Sequence, residues 1–151
     1  MKALTIHTPW APLIAVGEKE YETRGWKTNY RGPLAIHCSR TMDYLFLYNA
    51  WPFLDALRKH GLDIEDVNKL RGQVIATAEL VDCIIVPNMP LTITKQEIAF
   101  GDFRPGRFAW KLANVKKLET PIPAVGKQGL WEWDGEIDES NQCNEFSGGT
   151  R

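Results

Sequence analysis

The chain has 151 residues, of which 44% are apolar and 25% charged, and its formal net charge is −1. That length provides one ordinary domain with a sizeable core, and the composition is average for a globular protein. The near-neutral charge excludes wholesale electrostatic coating of a nucleic acid, so nucleic-acid contact would need a local patch; no apolar run approaches the ~20 residues of a membrane helix.

In chain order, Ala3 to His7 reads as a short strand. Thr8 is placed to cap a helix with Pro9 at its first position, where the missing amide does no harm. Gly17 closes that helix in the left-handed conformation. Alternation from Glu20 to Trp26 predicts a second strand, and the apolar run Pro33 to Ser39 a buried third. Residues 41 to 60 read as helical, with Tyr44, Leu45, Leu47, Tyr48, Trp51, Leu54 and Leu57 on a broad apolar face that Pro52 kinks or divides. Asp63 caps a short helix through Leu70. Gln73 to Val86 is the longest strand signal, rich in β-branched residues.

Thr94-Lys-Gln-Glu97 has the form of a capping box, opening a helix that stops near Gly101. Phe108 to Leu118 returns as a strand, Pro121, Pro123 and Gly126 mark a loop, and Leu130 to Trp133 follows. From Gly135 onward the residues are polar, acidic and glycine-rich, which predicts a domain over 1–134 and a flexible tail over 135–151. Five or six short strands interrupted by two or three helices give an α+β domain around a small barrel. Helices do not alternate with strands as a doubly wound sheet requires.

The segment from Gly17 to Arg24 sets Gly17, Lys19, Glu22 and Arg24 in the pattern G-x-K-x-x-E-x-R. On a strand, Glu22, Arg24 and Trp26 share one face, with Glu22 and Arg24 about 7 Å apart and Lys19 at the preceding turn. A lysine, a carboxylate and an arginine converging at a helix-to-strand corner suit an anionic or strongly polar ligand. The same spacing also fits an exposed ion-pair cluster on a solvated strand. Trp26 is a candidate pocket wall able to stack a base, whereas Trp10, Trp51, Trp110 and Trp131 are assigned to core packing.

His7, His37 and His60 lack partners at metal-ligand spacing and are read as structural. Residues 101–107 lack the Gly-Lys-Ser/Thr ending of a phosphate loop. Neither a metal nor a cofactor is expected. Cys38, Cys83 and Cys143 form no Cys-x-x-Cys pair, and the amino-terminal stretch lacks the pattern of a secretory signal. The expectation is a cytoplasmic protein with no membrane partner; the sequence carries no signal for oligomeric state.

Several ordered blocks resemble the ASCH domain family, the activating-signal-cointegrator homology branch of the PUA-like superfamily. They are Ala3 to Ile14, the G-x-K-x-x-E-x-R segment, Tyr30 to Arg40, Gly72 to Asp82, Ala99 to Trp110 and Gly126 to Trp131. Together they span about residues 1 to 134. The resemblance implies a PUA-like β-pseudobarrel with inserted and flanking helices. It also implies RNA or nucleoside binding through a polar cleft around Lys19, Glu22 and Arg24, with Trp26 on its wall and Asp102 or Arg107 approaching from the later loop. Lys19, Arg24, Lys27 and Arg31 would meet phosphates, and single-stranded RNA or a modified nucleoside would be the partner.

Small bacterial proteins of this family include acetylcytidine amidohydrolases, which use a lysine, a threonine three residues later and a downstream glutamate. Lys19 matches the lysine, but Glu22 stands where the threonine would be. A catalytic alternative here would use Lys19 as base, Glu22 to activate water, Arg24 at the oxyanion, and Asp102 or Glu97 as the downstream acid. A second alternative is a non-catalytic protein-interaction module using the 41–60 helix and the acidic tail.

Overall fold

A computed structural model describes residues 1–42, 50 and 52–142. Among these residues six strands form one sheet: β1 (Lys2–Ile6), β2 (Tyr21–Arg24), β3 (Gly32–Cys38), β4 (Gln73–Ile85), β5 (Phe108–Pro123) and β6 (Leu130–Glu132). Their order across the sheet is β2-β5-β4-β3-β1-β6. Among the described residues only β1 and β3 run parallel, joined through the helix α1 (Trp10–Ala15) and β2. The sheet curls into a half-barrel accompanied by α1 and three more short helices, α2 (Phe53–Arg58), α3 (Ile64–Asn68) and α4 (Lys95–Phe100). This is the α+β, PUA-like pseudobarrel architecture expected from the sequence. No helix among the described residues is long and apolar enough to cross a membrane.

Strand alternation divides the core. Leu4 and Ile6 of β1, Leu34 and Ile36 of β3, Ile75 and Leu80 of β4, and Trp110 and Leu112 of β5 pack with Ala11 and Ile14 of α1. Ala3, Ala35, Val74 and Leu118 point to the opposite face, under Trp131 and Trp133. A third cluster joins Leu13 of α1 to Phe53, Leu57, Val67 and Phe100, seating α2, α3 and α4 beside the barrel. Trp110 and Trp131 are therefore core residues, as expected. Tyr44, Leu45, Leu47, Tyr48 and Trp51 lie outside the described residues; among the described residues of the expected 41–60, Phe53–Arg58 is helical.

Three details of these elements differ from the sequence reading. Pro9, rather than Thr8, occupies the N-cap of α1, with no side-chain cap bond. β2 stops at Arg24, so the alternation does not extend to Trp26. β5 runs on through Pro121 to Pro123, beyond the expected end at Leu118. β2 pairs only with Phe108–Lys111, so the later half of β5 lacks β2 as a neighbour, and proline is tolerated on such an edge.

The carboxyl-terminal segment covers that edge, and packing continues past the expected boundary at 134. Asn141 accepts from Thr120 N–H at 2.7 Å and donates to Thr120 O at 3.0 Å, as a neighbouring strand would. Gln142 bridges Leu118, and Ile137 packs against the Trp131–Trp133 cluster. Residues 143–151, with Cys143, lie outside the described residues.

Candidate functional site

The site is assembled where α1 gives way to β2. Gly17 N–H bonds Ile14 O and Glu18 N–H bonds Leu13 O, both at 3.0 Å. With a φ of +84° at Gly17, this is a Schellman motif, which a residue bearing Cβ adopts only with strain. The turn directs Lys19 inward, where the residue is 1% exposed. Lys19 Nζ donates to Phe100 O at the end of α4, at 3.1 Å. Burial pushes the lysine pKa below its ordinary value, against the opposing pull of the Glu22 and Glu97 carboxylates.

Glu97 shows why the neighbourhood is dense with charge. Thr94 Oγ1 accepts from Glu97 N–H at 3.1 Å, so half of the expected capping box forms. The Glu97 carboxylate does not turn back to Thr94. It accepts from the Glu20 and Tyr21 amides at 3.0 and 2.9 Å, at the start of the edge strand β2. Burial raises its pKa, while these amides and Lys19 pull the other way.

Glu22 and Arg24 share a strand face, as alternation requires. Glu22 is 8% exposed, and its Oε2 lies 3.2 Å from Arg24 Nη2. The same Nη2 donates to Thr5 O on β1 at 2.8 Å, so the guanidinium bridges two strands that are far apart in the sheet order. Arg24 Nε is buried and has no hydrogen-bond partner among the described residues.

The loop after α4 closes against this strand. Asp102 N–H donates to Thr23 Oγ1 at 3.0 Å, and Arg107 Nη2 donates to Thr23 O at 3.2 Å. The Asp102 carboxylate accepts from Arg104 Nη2 at 2.5 Å and lies 3.3 Å from Arg107 Nε. The hydrogen bond from Arg104, aided by the charge of Arg107, lowers the Asp102 pKa to about 2. That environment suits a fixed ion pair and gives no proton to donate near neutral pH, so a general-acid role for Asp102 has poor physical support.

Two cavities meet at Arg24. A narrower one of about 520 Å³ has Glu22, Arg24, Asp102 and Arg107 as its charged lining and Trp10, Phe53 and Phe100 as its aromatic lining. A wider one of about 750 Å³ is bounded by Thr5, Trp26, His37, residues 39–41 and the loop 125–129. His7 and Arg24 line both. Both volumes fall in the range of small-molecule sites.

The wider cavity has a directed hydrogen-bond chain in its wall. Trp131 Nε1–H can only donate, and does so to Thr5 Oγ1 at 3.0 Å. The Thr5 hydroxyl is then free to donate to His37 Nδ1 at 3.1 Å, which leaves His37 Nε2–H to donate to Ala124 O at 2.8 Å. Burial lowers the His37 pKa, in keeping with this neutral form. Gly126 lies flat on the pair: a Cβ there would stand 2.7 Å from both His37 Cε1 and Thr5 Oγ1.

Of the residues expected at the site, Glu22, Arg24, Asp102 and Arg107 come together in the narrower cavity. Trp26 joins Arg24 in the wider one, 40% exposed and edge-on to Trp110 at 4.7 Å. Lys19 lines neither cavity. Arg31 lines neither as well: its Nη1 donates to Thr28 O and Tyr30 O, and its Nη2 lies 3.8 Å from Asp82. The sequence reading assigns Trp10 to core packing, whereas it lines the narrower cavity, and it leaves Lys127 unmarked; Arg40, one of the cations of the first third, lines the wider cavity with it. Arg40 and Lys127 stand in the blocks Tyr30–Arg40 and Gly126–Trp131, so the signal was there, spread over distant segments.

A family model described as the ASCH domain matches residues 4–122. Activating signal cointegrator 1 of Homo sapiens is 24% identical over 139 residues, a match covering 89% of this chain and 22% of that protein. The Mus musculus protein of the same name matches at the same identity and coverage. This chain thus spans about a fifth of the length of those relatives. The chain belongs to the ASCH domain family.

Proposed function

We propose that the protein binds single-stranded RNA or a nucleoside in the pair of cavities that meet at Arg24. The observation that carries this reading is the guanidinium held by Glu22 and Thr5 O between two concavities, one aromatic and one cationic. The association of ASCH domains with RNA supports it at the family level. In the narrower cavity, the half-buried Trp10 offers its ring to a base, and the Glu22 carboxylate accepts from an exocyclic amine. The net charge of −1 favours a compact ligand over a long duplex, because neutralising many phosphates needs a broad basic face.

The test is a binding titration of short single-stranded RNAs and unmodified nucleosides against wild type and Arg24→Ala. Arg24→Ala should lose about tenfold or more in affinity and flatten the salt dependence. Lys116→Ala, an exposed β5 position away from both cavities, controls for a general charge effect. Equal affinities for wild type and Arg24→Ala would overturn the reading.

A second reading, hydrolysis of an amide on an acylated nucleoside such as acetylcytidine, is favoured by the depressed pKa of Lys19 beside Glu22. It ranks second because Lys19 is held by Phe100 O and reaches neither cavity. Chromatography of acylated nucleosides incubated with the protein separates the two. Turnover abolished by Lys19→Ala and Glu22→Gln in folded protein would promote the enzyme.

A further inference from the structure

We propose that the wider cavity is a phosphate subsite, so that the ligand is a nucleotide whose phosphate sits among Arg24, Arg40 and Lys127 while its base occupies the narrower cavity. This deepens the proposed nucleoside or RNA binding and rests on it for the base.

The two cavities differ in charge. Among the described residues, the wider one is lined by three cations and by no carboxylate. The narrower one is lined by Arg24 and Arg107 against Glu22 and Asp102. Within the narrower cavity every cation has an acidic neighbour at 3.3 Å or closer. Among the described residues neither Arg40 nor Lys127 forms an ion pair. Among the described residues, an anion entering the cleft therefore meets cations without an acidic neighbour on the wider side, at Arg40 and Lys127. Arg24, common to both cavities, faces the junction where a ribose would lie.

The subsite is built from an anchored frame and exposed cations. The chain from Trp131 through Thr5 and His37 to Ala124 O ties the 124–129 loop to β1 and β3. Gly126 lets that loop lie directly on the Thr5–His37 pair, bringing Lys127 to the cavity rim. On the other side, Arg40 packs over Gly72, where a Cβ would stand 2.6 Å from its Nε. Its guanidinium stands at the cavity rim. Bidentate guanidinium with a flexible ammonium is the donor set that phosphate recognition uses.

A free nucleotide and a nucleotide within a strand present the same phosphate chemistry, and the arms of one titration tell these apart. Affinities of the full chain are measured for nucleosides, their 5′-monophosphates, trinucleotides and inorganic phosphate at low and high salt. The 5′-monophosphates should bind about tenfold tighter than the nucleosides, with the advantage shrinking as salt rises. In Arg40→Ala/Lys127→Ala the nucleotide-to-nucleoside ratio should fall towards one. Lys127→Ala alone, at an exposed loop position, serves if the double variant loses its fold. Trinucleotides binding tighter than monophosphates would assign the phosphate to a strand; no gain would assign it to a free nucleotide.

A ratio of one in wild type, or a ratio that survives in a folded double variant, overturns the subsite while leaving nucleoside binding intact. Inorganic phosphate shifting the Gly126 and Lys127 amide resonances, with no nucleoside bound, upholds the subsite and removes the nucleoside reading. Binding of none of the four probes defeats both.

Discussion

Lys19 Nζ donates to the carbonyl oxygen of Phe100 at 3.1 Å from inside the fold, tying the start of β2 to the end of α4. The ammonium, itself buried, also balances the Glu22 and Glu97 carboxylates. Lys19→Met removes the cation and leaves both carboxylates buried without it. It should cost about 3–5 kcal/mol in urea unfolding. A loss below about 1 kcal/mol would show that the charges are solvated and the cluster is loose.

Glu97 is expected to act as a clamp on β2. Glu97→Ala strands the Glu20 and Tyr21 amides, at roughly 1–3 kcal/mol for each donor left unpaired in the interior. Glu97→Gln keeps one acceptor oxygen and should cost less. Hydrogen exchange at the Tyr21 amide checks the mechanism: exchange should accelerate in Glu97→Ala, and unchanged protection would contradict the clamp.

Gly126→Ala should damage the cleft more than a surface-loop substitution does. The added Cβ meets the His37 ring and the Thr5 hydroxyl at 2.7 Å, and both are fixed by their own hydrogen bonds. We expect a loss of about 1–3 kcal/mol by thermal unfolding and weakened ligand binding. Unchanged stability and binding would mean that the loop sits away from Thr5 and His37.

Most of the fold was legible because each element carried a local signal. Gly17 marked the end of α1, Asp63 the start of α3, and β-branched residues the length of β4. Local signals failed where a distant partner decided the outcome. Pro121 and Pro123 read as strand breakers, yet β5 continues through them, since β2 does not reach that far along it. Glu97 read as the end of a capping box, but unpaired amides on β2 claimed its carboxylate. At the site, period-two alternation put Glu22 and Arg24 on one face. It gave no warning that a Schellman turn would bury Lys19, or that β2 would end before Trp26. Arg40 and Lys127 were illegible as a pair because only the sheet brings residues 39–41 beside the 125–129 loop.

The Asp102 cluster sets an expectation for acid. Its folded pKa of about 2 lies below the ordinary 3.8, so its contribution to stability is fully present above pH 4 and is lost as pH falls from about 4 to 2. Asp102→Asn should flatten that part of the stability profile while changing the neutral-pH slope little. Identical profiles between pH 4 and 2 would show that the arginine contacts are not maintained in solution.

Arg24 is the residue on which the functional account turns, since it is the charged side chain that both cavities share. The most direct measurement is the affinity of the 151-residue chain for short single-stranded RNA and for nucleosides, with wild type and Arg24→Ala compared across a salt series. The account predicts saturable wild-type binding that weakens with salt, and a loss of about tenfold or more in Arg24→Ala with a shallower salt slope. Wild-type protein that binds neither ligand, or a folded Arg24→Ala that binds as wild type does, would contradict it.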